Sequence, residues 1–181
     1  MIVDASSITC GNRYIFLDID GCLTNTEDGS SFLCLNEETY GISKRNLGLL
    51  LDVIKKTSAR VIITSNWRKF PDDGYWTPNR YKFKNHLPEL RAILGDAYIG
   101  DLPYWHGLSK SRTLMKWAND NGIPLLKHNF AIVDDDESEG YSNFLVLEGH
   151  FIKCDPHKGL TEEDCAIMRR LLEEDVWKDD E

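Results

Sequence analysis

The chain contains no apolar run near the ~20 residues that a bilayer-crossing helix needs, so no membrane-spanning helix is expected. Its first residues, Met1-Ile2-Val3-Asp4-Ala5, lack a basic stretch followed by a long apolar core, which argues against a secretory leader. Cysteine is sparse and odd in number. Cys10, Cys22, Cys34, Cys154 and Cys165 include no Cys-x-x-Cys pair, which argues against both a disulfide framework and a zinc site. A reducing, cytoplasmic setting is the expectation. Positive charge is also short: the net charge of −9 means that a generally polyanion-binding surface is not expected. Internal repeats and low-complexity linkers are missing, so residues 1–181 read as one domain. A chain of that length can bury about 70% of its unfolded surface, enough for a proper core.

The charge is unevenly spread. Between Lys55 and Arg91 there are nine basic residues (Lys55, Lys56, Arg60, Arg68, Lys69, Arg80, Lys82, Lys84 and Arg91) against Asp72, Asp73 and Glu89. From Asp134 onward the balance reverses to sixteen acidic and five basic residues. Such a local basic segment can attract one phosphorylated end even when the whole chain is acidic. Within it, Trp67, Phe70, Tyr75, Trp76, Tyr81 and Phe83 alternate with cations, a mixture suited to stacking on bases while following phosphates. A hydrophobic flap with snorkelling basic side chains fits the same pattern.

Helix and strand signals alternate along the chain. Tyr14-Ile15-Phe16-Leu17, Arg60-Val61-Ile62-Ile63 and Phe130-Ala131-Ile132-Val133 read as buried strands. Ser43 can cap a helix carrying Leu47, Leu50, Leu51 and Ile54, and Pro88 suits the first turn of a second helix. A third helix carries Leu114, Trp117 and Ala118 and stops at Asn121-Gly122. Asn143–Leu147 and Phe151–Lys153 read as two short strands joined through Glu148-Gly149-His150. Thr161-x-x-Asp164 approximates a capping box that opens a last helix. Alternation of this kind predicts an α/β fold, a mainly parallel sheet with helices on both faces. In such sheets ligands bind outside the carboxyl ends of the strands. Three polar groups fall there: Asp18 with Asp20, Thr64-Ser65-Asn66, and Asp134-Asp135-Asp136. Residues i and i+2 of a strand share a side, so Asp18 and Asp20 would repel unless a cation or a phosphate held by one lay between them.

The blocks "FLDIDG", "SNWR", "IVDDD" and "GLTEEDC" give the chain its resemblance to the haloacid dehalogenase (HAD) superfamily, and within it to the Swiss Army Knife RNA-repair-like HAD domains, over roughly Tyr14 to Leu172. The resemblance implies a Rossmann-like fold with little or no cap domain. It casts Asp18 as a nucleophile that forms an aspartyl-phosphate and Asp20 as general acid and then base. Gly21 would provide the sharp turn after the strand. A Ser or Thr after the second strand would bond a phosphoryl oxygen: Ser65 is favoured, because Ser-Asn matches the usual pair, and Thr64 is the alternative. Lys110, at the head of the third helix, would offset the accumulated negative charge, with Arg112 as alternative. Asp135, with Asp134 beside it and with Asp18 and Asp20, would hold Mg2+, and Glu139 stands where a second acid is common.

The activity implied is magnesium-dependent hydrolysis of a phosphomonoester, with nucleotides or phosphorylated nucleic-acid ends as substrates. A looser resemblance to polynucleotide 3′-phosphatase domains rests on Arg68, which would bind substrate. The stretch 68–107, long, aromatic and basic, departs from the family pattern and reads as an insertion. The alternative from another class is a non-catalytic phosphate or nucleic-acid binding module on the same scaffold. An intact Asp20 speaks against it, since binding alone needs no acid there.

Overall fold

Three β-branched or aromatic runs, Tyr14–Leu17 (β1), Arg60–Ile63 (β2) and Phe130–Asp134 (β6), form the centre of the fold in a computed structural model, which describes residues 13–30, 41–72, 75–76, 82–125 and 129–173. Between them, in chain order, come Lys44–Thr57 (α1), Tyr75–Trp76 (β3), Lys82–Phe83 (β4), Leu87–Leu94 (α2), Tyr98–Asp101 (β5) and Lys110–Asp120 (α3). After β6 follow Leu145–Glu148 (α4), Phe151–Lys153 (β7) and Glu162–Glu173 (α5). Five strands make one sheet in the order β5-β2-β1-β6-β7, and every pairing in it is parallel. The short β3 and β4 pair antiparallel as a separate ribbon.

Parallel strands need cover on both faces, and this sheet has it. One face of β1, β2 and β6 presents Ile15, Leu17, Val61, Ile63, Ala131 and Val133 to a core shared with α1, α2 and α5. The other presents Tyr14, Phe16, Ile62, Phe130 and Ile132 to a core shared with α3. The α/β, Rossmann-like architecture expected from the alternation of elements is the one observed.

Helix ends follow local chemistry. The Ser43 side chain accepts from the Asn46 amide at the start of α1, and the Ser109 side chain accepts from the Arg112 amide at the start of α3. Thr161 and Asp164 satisfy each other's amides before α5, at 2.9 and 3.2 Å, the expected capping box with Asp in the distal position.

One reading of local sequence is corrected. Residues 143–147 do not form a strand: Tyr141–Asn143 is a 3-10 turn and 145–148 is the helical turn α4. The cause is topological. β6 and β7 run parallel, so the chain must travel back along the sheet before β7 begins. Because β7 lies directly beside β6, that return runs outside the sheet and not as a strand between them. The stretch 68–107 contains the edge strand β5 and helix α2, whose Leu87, Leu90 and Leu94 enter the core.

The loop after β1 is tied to the far end of the chain. The Cys22 carbonyl accepts from Asn46 Nδ2 at 3.1 Å and from the Leu160 amide at 2.8 Å, and Asn46 Nδ2 also donates to the Lys158 carbonyl at 3.2 Å. Gly159 sits against this junction with φ +66°, and a Cβ there would lie 1.9 Å from Asn46 Nδ2 and 2.7 Å from the Cys22 carbonyl. Gly159→Ala is therefore expected to destabilise the protein by more than ~1 kcal/mol. Gly48→Ala, in open space on α1, is expected to stabilise it by about 0.5–1 kcal/mol. Urea denaturation of both variants checks the pair.

Candidate active site

Strand register sets the first row of the site. Leu17 pairs with Ile63 on one side and with Val133 on the other, so the next residues, Asp18, Thr64 and Asp134, stand abreast at the carboxyl ends of β1, β2 and β6. Backbone bonds continue the ladder: the Asp18 amide donates to the Val133 carbonyl and the Thr64 amide to the Leu17 carbonyl, each at 2.8 Å. Period-two alternation puts this row on the side of Phe16, Ile62 and Ile132, the face covered by α3.

Helix α3 begins at that row. Lys110, its first residue, is buried, and its Nζ lies 3.0 Å from Asp18 Oδ2 and 2.9 Å from Asp134 Oδ2. Burial disfavours the Lys110 charge, but the two carboxylates outweigh it and raise the ammonium pKa. Asp134 is held from three directions, since Oδ2 also accepts from the Tyr141 hydroxyl at 2.9 Å and Oδ1 from the Asp136 amide at 3.1 Å. Burial and the Asp18 charge nevertheless push the Asp134 carboxyl up to about 7. Between the two basic candidates the geometry is plain: Lys110 enters the site, and Arg112 is exposed. Glu139 takes a different part from the one anticipated. Its Oε2 accepts from the Lys110 backbone amide at 2.7 Å, so it steadies the head of α3.

The second row lies on the loops. After Asp18 the chain turns sharply: the amides of Leu23 and Thr24 both donate to the Ile19 carbonyl, at 2.8 and 3.0 Å. Gly21, at φ +66°, makes this turn and also permits a close approach, because a Cβ on it would fall 2.2 Å from Asp135 Oδ2. Gly21 thus packs the Asp20 loop against the Asp135 loop. Asp20 is half-buried, and burial first, then the charge of Asp18, pushes its carboxyl up to about 7. Its Oδ2 accepts from the Trp67 indole Nε1 at 2.8 Å. Burial and Asp18 also raise the Asp135 carboxyl.

After β2 the two hydroxyls divide. Ser65 Oγ accepts from the Trp67 amide at 3.3 Å and caps the 3-10 turn Asn66–Lys69. Thr64 Oγ1 is buried and has no hydrogen-bond partner. Arg68 lies in the same turn, and one of its terminal nitrogens donates to the carbonyls of Thr64 and Ser65. Its Nε is buried and unpartnered, and burial lowers its pKa against the pull of Asp18.

Among the described residues, four buried polar atoms at this edge therefore lack hydrogen-bond partners: Asp18 Oδ1, Asp20 Oδ1, Thr64 Oγ1 and Arg68 Nε. Buried groups of this kind are normally satisfied, so two acceptors and two donors left open together mark a place for a polar ligand. Asp18, Asp134 and Asp135 each offer a carboxylate oxygen within 4.8 Å of the others, the kind of hard, all-oxygen set that holds a divalent ion. Asp20, expected among the ligands, is not one of the three, and its Oδ2 is engaged by Trp67 instead.

Sequence reasoning did not anticipate Tyr141 or the Trp67 indole. Both were visible only as aromatic residues near a motif, and their polar ends gain meaning from the folded loops. Of the aromatic and basic residues named between Trp67 and Arg91, Arg80 and Tyr81 lie outside the described residues, as do the side chains of Tyr75, Trp76, Lys82 and Phe83.

The model of one family, the HAD domain in Swiss Army Knife RNA repair proteins, matches residues 14–165. No curated protein and no solved structure gives a match. The two arrangements at the head of α3 predict different costs of substitution. In a metal chelator, Lys110→Met is expected to lower unfolding stability by about 3–5 kcal/mol, because it leaves buried carboxylates without their cation. Arg112→Met should change stability by less than ~0.5 kcal/mol, as for exposed sites generally. Guanidinium denaturation of the two variants side by side is the check.

Proposed function

The chain belongs to the HAD domain family of Swiss Army Knife RNA repair proteins, and from that membership we propose that it is a magnesium-dependent phosphomonoester hydrolase that works through an aspartyl-phosphate on Asp18. The family supports a phosphatase-type hydrolase at the coarse level, and the acidic triad could hold a metal ion. The observation that carries the finer reading is the set of open polar atoms around Asp18 described above: acceptors for an acid proton or a cation, and donors for phosphoryl oxygens.

In this reading a phosphoryl group sits over the strand ends. The Thr64 hydroxyl and Arg68 Nε donate to its nonbridging oxygens, and Lys110, 3.0 Å from Oδ2, orients Asp18. Asp18 Oδ1, free of any hydrogen bond, attacks phosphorus in line with the ester oxygen. The P–O ester bond breaks as the new P–O bond to Asp18 forms, and Asp20 gives its proton to the departing oxygen. Water then attacks phosphorus, Asp20 takes its proton, and the Asp18–phosphorus bond breaks to release inorganic phosphate. Held by Asp18, Asp134 and Asp135, Mg2+ would supply electrostatic stabilisation of the charge that gathers on the phosphoryl oxygens. A carboxyl held near neutrality, as Asp20 is, suits both proton donation and proton acceptance.

The substrate class is read from the rim. The loop 102–109, which delivers Lys110, carries exposed Tyr104 and half-buried Trp105. Lys69 lies 3.9 Å over the Tyr104 ring and Lys116 lies 4.9 Å over the Trp105 ring. Aromatic faces beside cations suit a nucleotide or a phosphorylated nucleic-acid end.

Asp18→Asn is expected to keep the fold and to lose at least ~1,000-fold in the rate of aryl phosphate hydrolysis, since the amide is a poor nucleophile. Excess chelator should abolish turnover of the native protein, and Asp135→Ala should raise the magnesium concentration needed to restore it. Turnover undiminished by chelator or by Asp18→Asn would overturn the mechanism. Phosphate-ester binding without any hydrolysis would leave the non-catalytic binding module. For a phosphorylated oligonucleotide, KM should climb steeply between low and moderate salt while KM for a mononucleotide changes little. Parallel salt responses would return the substrate to small phosphomonoesters.

A further inference from the structure

The Trp67 side chain is 4% exposed overall and packs in the core shared with α1, α2 and α5, yet its one polar atom emerges at the catalytic edge, 2.8 Å from Asp20 Oδ2. Its position is fixed by the backbone. Ser65 Oγ accepts from its amide at 3.3 Å, and its carbonyl accepts from Asn85 Nδ2 at 3.3 Å. The indole can neither rotate away without emptying the core nor reverse its polarity, because indole nitrogen donates and cannot accept.

The two Asp20 oxygens are therefore unlike. Oδ2 accepts from an N–H, which favours the carbonyl form of that oxygen, and Oδ1 is buried with no hydrogen-bond partner among the described residues. We propose that Trp67 is the positioning residue of the acid step: its indole N–H holds Asp20 by Oδ2 and fixes the carboxyl rotamer, so that Oδ1, the oxygen without a hydrogen-bond partner, is the one that serves the leaving oxygen. The proposal rests on the phosphatase reading and adds a residue to it. Trp67 touches no substrate atom. It acts by selecting one of two carboxyl oxygens and one side-chain rotamer.

A carboxyl freed from the indole would spread its proton over both oxygens and its torsion over several states, and only a fraction would face the leaving oxygen. That loss matters where the leaving group needs protonation and is invisible where it does not. The test compares kcat/KM, which reports the steps up to formation of the aspartyl-phosphate, for an alkyl phosphate and for 2,4-dinitrophenyl phosphate. The expected result for Trp67→Phe is a fall of about 10-fold or more for the alkyl ester and a change within about twofold for the dinitrophenyl ester. Both substrates are assayed on one preparation, so an unfolded fraction cancels from the ratio. Equal falls for both esters, or no fall for either, would overturn the assignment while leaving the phosphatase reading standing. A native protein that hydrolyses neither ester would remove both. Should Trp67→Phe not fold, the indole N–H resonance of Trp67 gives a second readout in the full chain. Slow solvent exchange in the native protein and fast exchange in Asp20→Ala support the proposal, and fast exchange in both rejects it.

Discussion

The ion cluster around Lys110 is the interaction on which the site depends. Parallel register brings Asp18 and Asp134 together whatever their charges, and Asp135 follows on the next bond. Left alone in a buried setting, such carboxylates would repel and take up protons. One ammonium between Asp18 and Asp134, supported by Tyr141 and the Asp136 amide, makes the crowding tolerable. The compensation is incomplete: Asp134 and Asp135 both stay harder to ionise than ordinary aspartates. That remaining imbalance is what makes a divalent cation a fitting occupant. Glu139 contributes at one remove, by fixing the amide of the residue that carries the ammonium.

Much of this was legible because strands and motifs share a period. Residues 15–17, 61–63 and 130–133 are apolar at consecutive positions, as strands buried on both faces must be, and each run is followed by a polar residue at the same level of the sheet. Once parallel pairing is inferred from alternating helices, the meeting of residues 18, 64 and 134 follows. The capping residues Ser43 and Ser109 sit where helix starts require them. Residues 143–147 were misread because Val146 and Leu147 favour a strand locally. The parallel placement of β7, a property of the whole sheet, decided otherwise. The edge strand β5 escaped notice because Tyr-Ile-Gly-Asp, half-buried throughout, carries neither a buried run nor a clean alternation.

Choices between adjacent candidates needed the fold. Thr64 and Ser65 are both hydroxyls after a strand, and sequence favoured Ser65 by its Asn neighbour. In the structure Ser65 serves its own turn, while Thr64 is left with an unused hydroxyl. Lys110 and Arg112 differ by two residues, which is more than half a helical turn, so only one can face the sheet. Asp20 and Trp67 are 47 positions apart, and no local pattern relates them.

The junction at Cys22, Asn46 and Lys158 bears on how the site is assembled in time. The loop that carries Asp20 is secured partly by Asn46 and partly by residues near 160, through a contact that joins Cys22 to Leu160 across most of the chain. Contacts of that span form slowly, because the intervening chain must lose its freedom first. During synthesis, Asp18 and Asp20 leave the ribosome before the residues near 160 and then wait for their anchor. A nascent chain with β1, β2 and α1 already folded would still carry its acid on an untied loop. The site should therefore be completed late and all at once, when the segment around Gly159 closes over Asn46.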